Sequence, residues 1–154
     1  MQQGDDGFGS LKTVIGSIER LVGMACTVVR ENHPENFTFE FGTAPTGLSL
    51  SIDCLWRILD DRRVKRTSLD HGHQFGLPAP VDAFDEARKL LCGQRVLAVR
   101  LRNGPVDFAL EFEGGHTLEL LQEHSGYEPW NLTGPGINLI ALGGGGIADF
   151  SPKS

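Results

Sequence analysis

The sequence predicts an α+β fold of two helix-plus-antiparallel-β-meander units, with two helices packed on mainly antiparallel sheet. Three observations carry this. Segments recur about seventy residues apart, the hydrophobic period changes after a glycine in each copy, and the connections are short and rich in Gly, Pro and Asn. Leu21-Val22-Gly23 matches Leu91-Cys92-Gly93, and Val29-Arg30 matches Val99-Arg100. Phe39-Glu40-Phe41 matches Leu110-Glu111-Phe112, and Leu48-Ser49-Leu50 matches Leu118-Glu119-Leu120. The third match is displaced by one residue, which a hairpin loop of variable length produces.

In chain order, residues 1–8 (MQQGDDGF) are polar and predict a flexible N-terminus. A single domain, 9–154, follows as two repeats of about 9–79 and 80–154. In the first, Ser10 is an expected N-cap for a helix with Leu11, Val14, Ile15, Ile18, Leu21 and Val22 on one stripe. Gly23 stands where a left-handed C-cap belongs. Alternation then predicts strands at Cys26–Glu31, Phe37–Phe41, Leu48–Asp53 and Trp56–Leu59. The second repeat opens at Pro80 and Asp82, carries Phe84, Ala87, Leu90 and Leu91 on a helix, and turns at Gly93. Strands are expected at Arg95–Arg102, Asp107–Glu113 and His116–Gln122. The closing stretch predicts a strand from Ile137 and another at Ile147–Phe150.

A chain of 154 residues with 40% hydrophobic content can bury a core without staples. Its net charge of −6 speaks against a nucleic-acid partner. No apolar run reaches the length of a membrane span. Cys26, Cys54 and Cys92 are odd in number and form no C-x-x-C pair, so they read as reduced thiols of a cytoplasmic protein.

Gly143 to Gly146 suggest a phosphate loop, but Ile147-Ala148-Asp149 follows where the lysine and hydroxyl of such a loop belong. The run therefore predicts a hairpin turn, and no cofactor is expected. Asp70-His71-Gly72-His73 sets two imidazoles on one side of an extended segment. Asp70, His71 and His73 are thus weak zinc candidates, against a loop closed by its own hydrogen bonds. Cys54 or Ser125 with a histidine would make a nucleophile pair, yet no nucleophile elbow surrounds either. Glu111 and Glu113 fall on one strand face about 7 Å apart, and a solvated acidic face is the commoner meaning of that spacing. Glu40, Glu111, Glu113 and Glu119 are all expected to point outward, making that face markedly acidic. The basic run Arg57, Arg62, Arg63, Lys65 and Arg66 predicts either a charged loop or a patch on the acidic strands of the second repeat.

Cys54-Leu55-Trp56-Arg57-Ile58, Thr67-Ser68-Leu69-Asp70-His71 and Ser125-Gly126-Tyr127-Glu128-Pro129-Trp130 together resemble small uncharacterised bacterial proteins of the DUF6188 type. The resemblance covers the chain from about Leu21 onward and implies no catalytic residues. Proteins of this size and style are often immunity proteins of toxin systems, which is an association of fold and context.

The expectation is therefore a non-enzymatic, cytoplasmic immunity-type protein that neutralises a basic cognate toxin by direct binding. Tyr127, Glu128, Trp130, Glu111, Glu113 and Glu119 are its candidate contact residues. For the two rings, packing over the end of the core is the competing reading. The alternative function is a small-molecule-binding or hydrolytic domain whose pocket between the repeats uses Asp70, His71, His73 or Cys54.

Overall fold

Two antiparallel sheets face each other across one hydrophobic core in the computed structural model of the chain, which describes residues 11–34 and 36–152. The first sheet contains, in spatial order, β1 (Cys26–Glu31), β2 (Phe37–Phe41), β3 (Leu48–Ile52), β9 (Trp130–Gly134), β10 (Ile137–Ala141) and β11 (Ile147–Asp149). The second runs β5 (Arg63–Thr67), β4 (Leu55–Asp60), β8 (His116–Leu121), β7 (Phe108–Phe112) and β6 (Val96–Leu101). With helices α1 (Leu11–Ile18) and α2 (Ala83–Leu91), this is the α+β class that the two hydrophobic periods predict.

The expected flexible segment 1–8 and the Ser10 cap lie outside the described residues. Val14 and Ile18, four positions apart, are the buried face of α1. The helix ends earlier than its apolar stripe suggests, because Glu19–Leu21 tighten into a 3-10 turn. Asp82, at the expected opening of the second repeat, caps α2, accepting from the backbone N–H groups of Phe84 and Asp85 at 3.0 and 3.1 Å.

Gly23 and Gly93 end the two helical segments at φ of 90° and 89°, a region that penalises any residue with a Cβ. Their neighbours then bond to each other. Gly23 N–H donates to Val96 O and Gly93 N–H to Cys26 O, both at 2.8 Å. Cys26 N–H donates to Gln94 O at 3.0 Å, and Val96 N–H to Met24 O at 2.9 Å. Shifting any of these partners by seventy residues yields another bond of the set. A β-bulge follows in each half, between Cys26 and Val28 and between Val96 and Ala98.

Each meander then gives its closing hairpin away. Only Asp53 and Cys54 separate β3 from β4, and across them the chain leaves the first sheet and pairs β4 with β8 in the second. After β8 the chain crosses back, and β9 pairs with β3. Helix, three-stranded meander and crossing follow in the same order in both halves, but two strands (β4, β5) follow the first crossing and three (β9, β10, β11) the second.

Two strands escape the sequence reading. Arg63–Thr67 is not a loop but the edge strand β5, joined to β4 by Asp61-Arg62 at φ of 51° and 70°. Those angles match the two-residue turn whose twist suits a hairpin. Its charges suit an edge, where they discourage pairing with another chain. The strand β9 is polar in alternation and ends at Gly134, so its apolar signal is only Trp130 and Leu132.

The core is aromatic at its centre. Trp56, Trp130, Phe39, Phe41 and Phe108 are all fully buried, each contributing on the order of 1.5–3 kcal/mol by removal from water. The helices sit at the open sides of the sandwich. Helix α2 packs on β1 and β5, with Phe84 stacked on Phe37 at a centroid distance of 4.0 Å. Helix α1 stands at the other side, where Leu11 and Val14 share a cavity of about 240 Å³ with Leu101, Val106 and Ile147.

Candidate functional site at the strand crossings

The two crossings meet at one end of the sandwich. The backbone N–H groups of Asp53 and Cys54 both donate to Pro129 O, at 2.8 and 3.1 Å, so the first crossing is pinned to the second. Asn36, only 1% exposed, donates to Asp53 Oδ1 at 2.9 Å and to Ile52 O. Its own Oδ1 accepts from Thr38 and Ser51 at 2.9 and 3.2 Å. A cleft of about 370 Å³ opens here. Asp53, Cys54, Ser68, His71, Glu123 and His124 line it, with Phe37 and Leu69 as its apolar walls.

The structure therefore brings Cys54 and His71 to one cleft, while the rest of the Asp70–His73 cluster is occupied elsewhere. Burial first, and the Glu123 carboxylate second, push the Cys54 thiol up to about 12, so it is a neutral thiol at physiological pH. His71 Nδ1 accepts from Ala83 N–H at 3.0 Å at the start of α2, and its ring stands edge-on to Phe84. Asp70 closes a capping box, accepting from Thr67 N–H at 3.0 Å, and pairs with Arg66 at 3.8 Å. His73 stacks on Phe75 at 5.6 Å. Among the described residues, no group of three His, Cys, Asp or Glu side chains is placed to hold a metal.

The candidate contact residues separate into two sets. Tyr127 is 70% exposed, its ring edge-on to His124 at 5.2 Å, and Glu128 is exposed beside it. Trp130 is 1% exposed, against its assignment as a contact residue. It packs against Phe108 at 5.1 Å and donates its indole N–H to Val106 O at 3.0 Å, so for this ring the core reading holds.

The outer sheet faces are also not the acidic surfaces that alternation alone suggests. Glu40 pairs with Arg30 at 2.8 Å, Glu119 with Arg57 at 2.5 Å, and Glu111 with Arg100. Glu113 accepts from Arg95 N–H at 3.3 Å. The strand register causes this, because it sets Val28 and Arg30 beside Glu40, Arg57 opposite Glu119, and Ala98 and Arg100 beside Glu111. Arg57 thus reaches the acidic strands of the second half, whereas Arg66 turns to Glu86 and Asp70. Asp53, Glu123 and Glu128 make no ion pair among the described residues, and all three lie on the crossings.

The glycine run is the expected turn, between β10 and β11, with Gly144, Gly145 and Gly146 at φ of 84°, 124° and 82°. It is also a buttress. A Cβ on Gly143 would stand 2.8 Å from Ser125 O and 2.9 Å from Tyr127 N, and one on Gly145 would overlap Gly104 O. Gly146 N–H donates to that same oxygen at 3.1 Å, and the Gln122 side chain donates to Leu142 O at 3.1 Å. The run lets two backbones touch, which holds the second crossing and presents Tyr127.

Asp53 and Glu123 were not legible as site residues. Each is a lone carboxylate at a strand end, and only the meeting of the crossings joins them. No protein-family model matches the chain, and no curated protein matches it.

Proposed function

We propose that the protein acts by binding another protein, as an immunity-type protein that neutralises a basic toxin in the cytoplasm. The observation that carries this reading is the crossing end itself. There an exposed tyrosine stands with Asp53, Glu123 and Glu128, which make no ion pair among the described residues, while Glu40, Glu111 and Glu119 on the sheet faces are paired with arginines. An exposed aromatic beside uncompensated acid is suited to a basic partner, since tyrosine is favoured at binding hot spots and charge speeds encounter. The resemblance to DUF6188-type proteins is part of the same proposal. Its third motif, Ser125–Trp130, falls on this end.

The alternative small-molecule reading draws support from the cleft, which Cys54 and His71 both line. Its hydrolytic form lacks an activated nucleophile, because the Cys54 thiol holds its proton.

The test is coexpression with the protein encoded beside it. Recovery of a 1:1 complex, and rescue of cells from that protein's toxicity by this chain, are the expected results. Growth arrest that this chain leaves unchanged, with the two proteins eluting separately, would overturn the reading.

A further inference from the structure

We propose that the cleft at the strand crossings is an anchor site for an arginine side chain of the protein partner. The inference rests on the binding reading and names the group that the site recognises.

The cleft has the size of a small ligand site, about 370 Å³, and its two kinds of wall suit the two parts of an arginine. Phe37 and Leu69 offer apolar surface for the methylene stem. Asp53 and Glu123 offer two carboxylates for the guanidinium fork, and among the described residues no lysine or arginine lines the cleft to compete. Asp53 is held in place before any ligand arrives. Asn36 fixes one carboxylate oxygen at 2.9 Å, and Thr38 and Ser51 fix Asn36 in turn. Among the described residues, the other oxygen has no hydrogen-bond partner. Glu123 lies close enough to Cys54 to raise its thiol, so the carboxylate charge is felt inside the cleft.

A guanidinium fits better than an ammonium. Its planar fork can engage two separated carboxylates at once, and its face can stack on a ring. His124 lines the cleft with Tyr127 edge-on behind it, so a ring is available at the rim. A neutral or anionic ligand seated there would take water from both carboxylates without pairing either.

The direct test titrates N-acetyl-arginine methylamide into the full chain and follows backbone amides by NMR, with the citrulline and lysine analogues as controls. Shifts centred on Asp53, Cys54, Leu69, Glu123 and His124 are expected, weaker with lysine and absent with citrulline. Asp53→Asn with Glu123→Gln should weaken the arginine analogue tenfold or more, while the amide spectrum away from the cleft stays unchanged. Absence of shifts at the cleft, or equal shifts with citrulline, would overturn the assignment.

The two proposals fail separately. A toxin that forms a 1:1 complex and keeps its affinity for the Asp53→Asn, Glu123→Gln chain would remove the cleft assignment and leave the binding reading. An arginine analogue that fills the cleft while the neighbouring protein is neither bound nor neutralised would do the reverse.

Discussion

Phe41 and Phe112 stack across the core with ring centroids 6.4 Å apart, although one stands in each sheet and 71 residues separate them. Both are buried, so removing either leaves a void between the sheets. Phe41→Ala and Phe112→Ala should each cost about 3–5 kcal/mol, and the double variant less than their sum. Urea unfolding midpoints measure all three, and additive losses would show that the rings do not share one packing site.

The two tryptophans should respond differently to the same change. Trp130 donates to Val106 O, whereas the Trp56 indole N–H is buried without a hydrogen-bond partner among the described residues. Trp130→Phe leaves a carbonyl unpaired and should destabilise by about 1 kcal/mol more than Trp56→Phe. Thermal or urea denaturation of the two variants gives the comparison.

Charge on the sheet faces should matter little for stability. Arg57 and Glu119 are 40% and 25% exposed, so solvent screens their attraction. Glu119→Gln is expected to change stability by less than about 1 kcal/mol and to leave binding of the proposed partner intact. Tyr127→Ala should instead leave the unfolding midpoint in place and weaken the complex by about 2 kcal/mol or more. Calorimetry on both variants separates the two effects.

The thiols make a prediction with a definite pH sign. Cys54 ionises near 9.0 in a model peptide and at about 12 in the folded chain, chiefly because it is buried. Between those values the unfolded chain has released a proton that the folded chain still holds. The Cys54 contribution is thus complete below about pH 9 and is lost as pH rises toward 12, by up to roughly 4 kcal/mol. Cys54→Ala should flatten the alkaline part of the stability curve relative to the parent. At pH 8, iodoacetamide should label half-buried Cys92 first. Cys26, buried and held up as a thiol by burial and by Cys92, should follow only on unfolding.

Gly143→Ala tests the buttress. The new methyl meets backbone of residues 125–127 at under 3 Å, so the second crossing must shift. Amide shifts at Ser125 to Glu128 are expected, with weaker binding of the proposed partner and an unchanged core spectrum around Phe39 and Leu110. An unmoved crossing would show that the contact yields elsewhere.

Local features were legible where one residue type does one job. The capping glycines Gly23 and Gly93 and the alternation of Phe37–Phe41 and Phe108–Phe112 each mark their own element. Features set by pairing at a distance were not. Alternation places Glu111 and Glu119 outward, but only register supplies Arg100 and Arg57 to neutralise them. β5 hides because an edge strand needs charge more than apolar area. The cleft hides because Asp53 and Glu123 come from different crossings.

The exchange of hairpins also sets a timetable for the growing chain. By the time β7 has been made, β3 and β4 both still lack a partner on one side. Both gaps are filled by one late segment, residues 116–134, which holds β8 and β9. Until that segment leaves the ribosome, the earlier half has two open strand edges and buried-type residues such as Leu50 and Trp56 facing water. The same few seconds of synthesis close both gaps, ahead of the last core residues on β10 and β11, and place Glu123 and Tyr127, between those strands, where a partner could meet them.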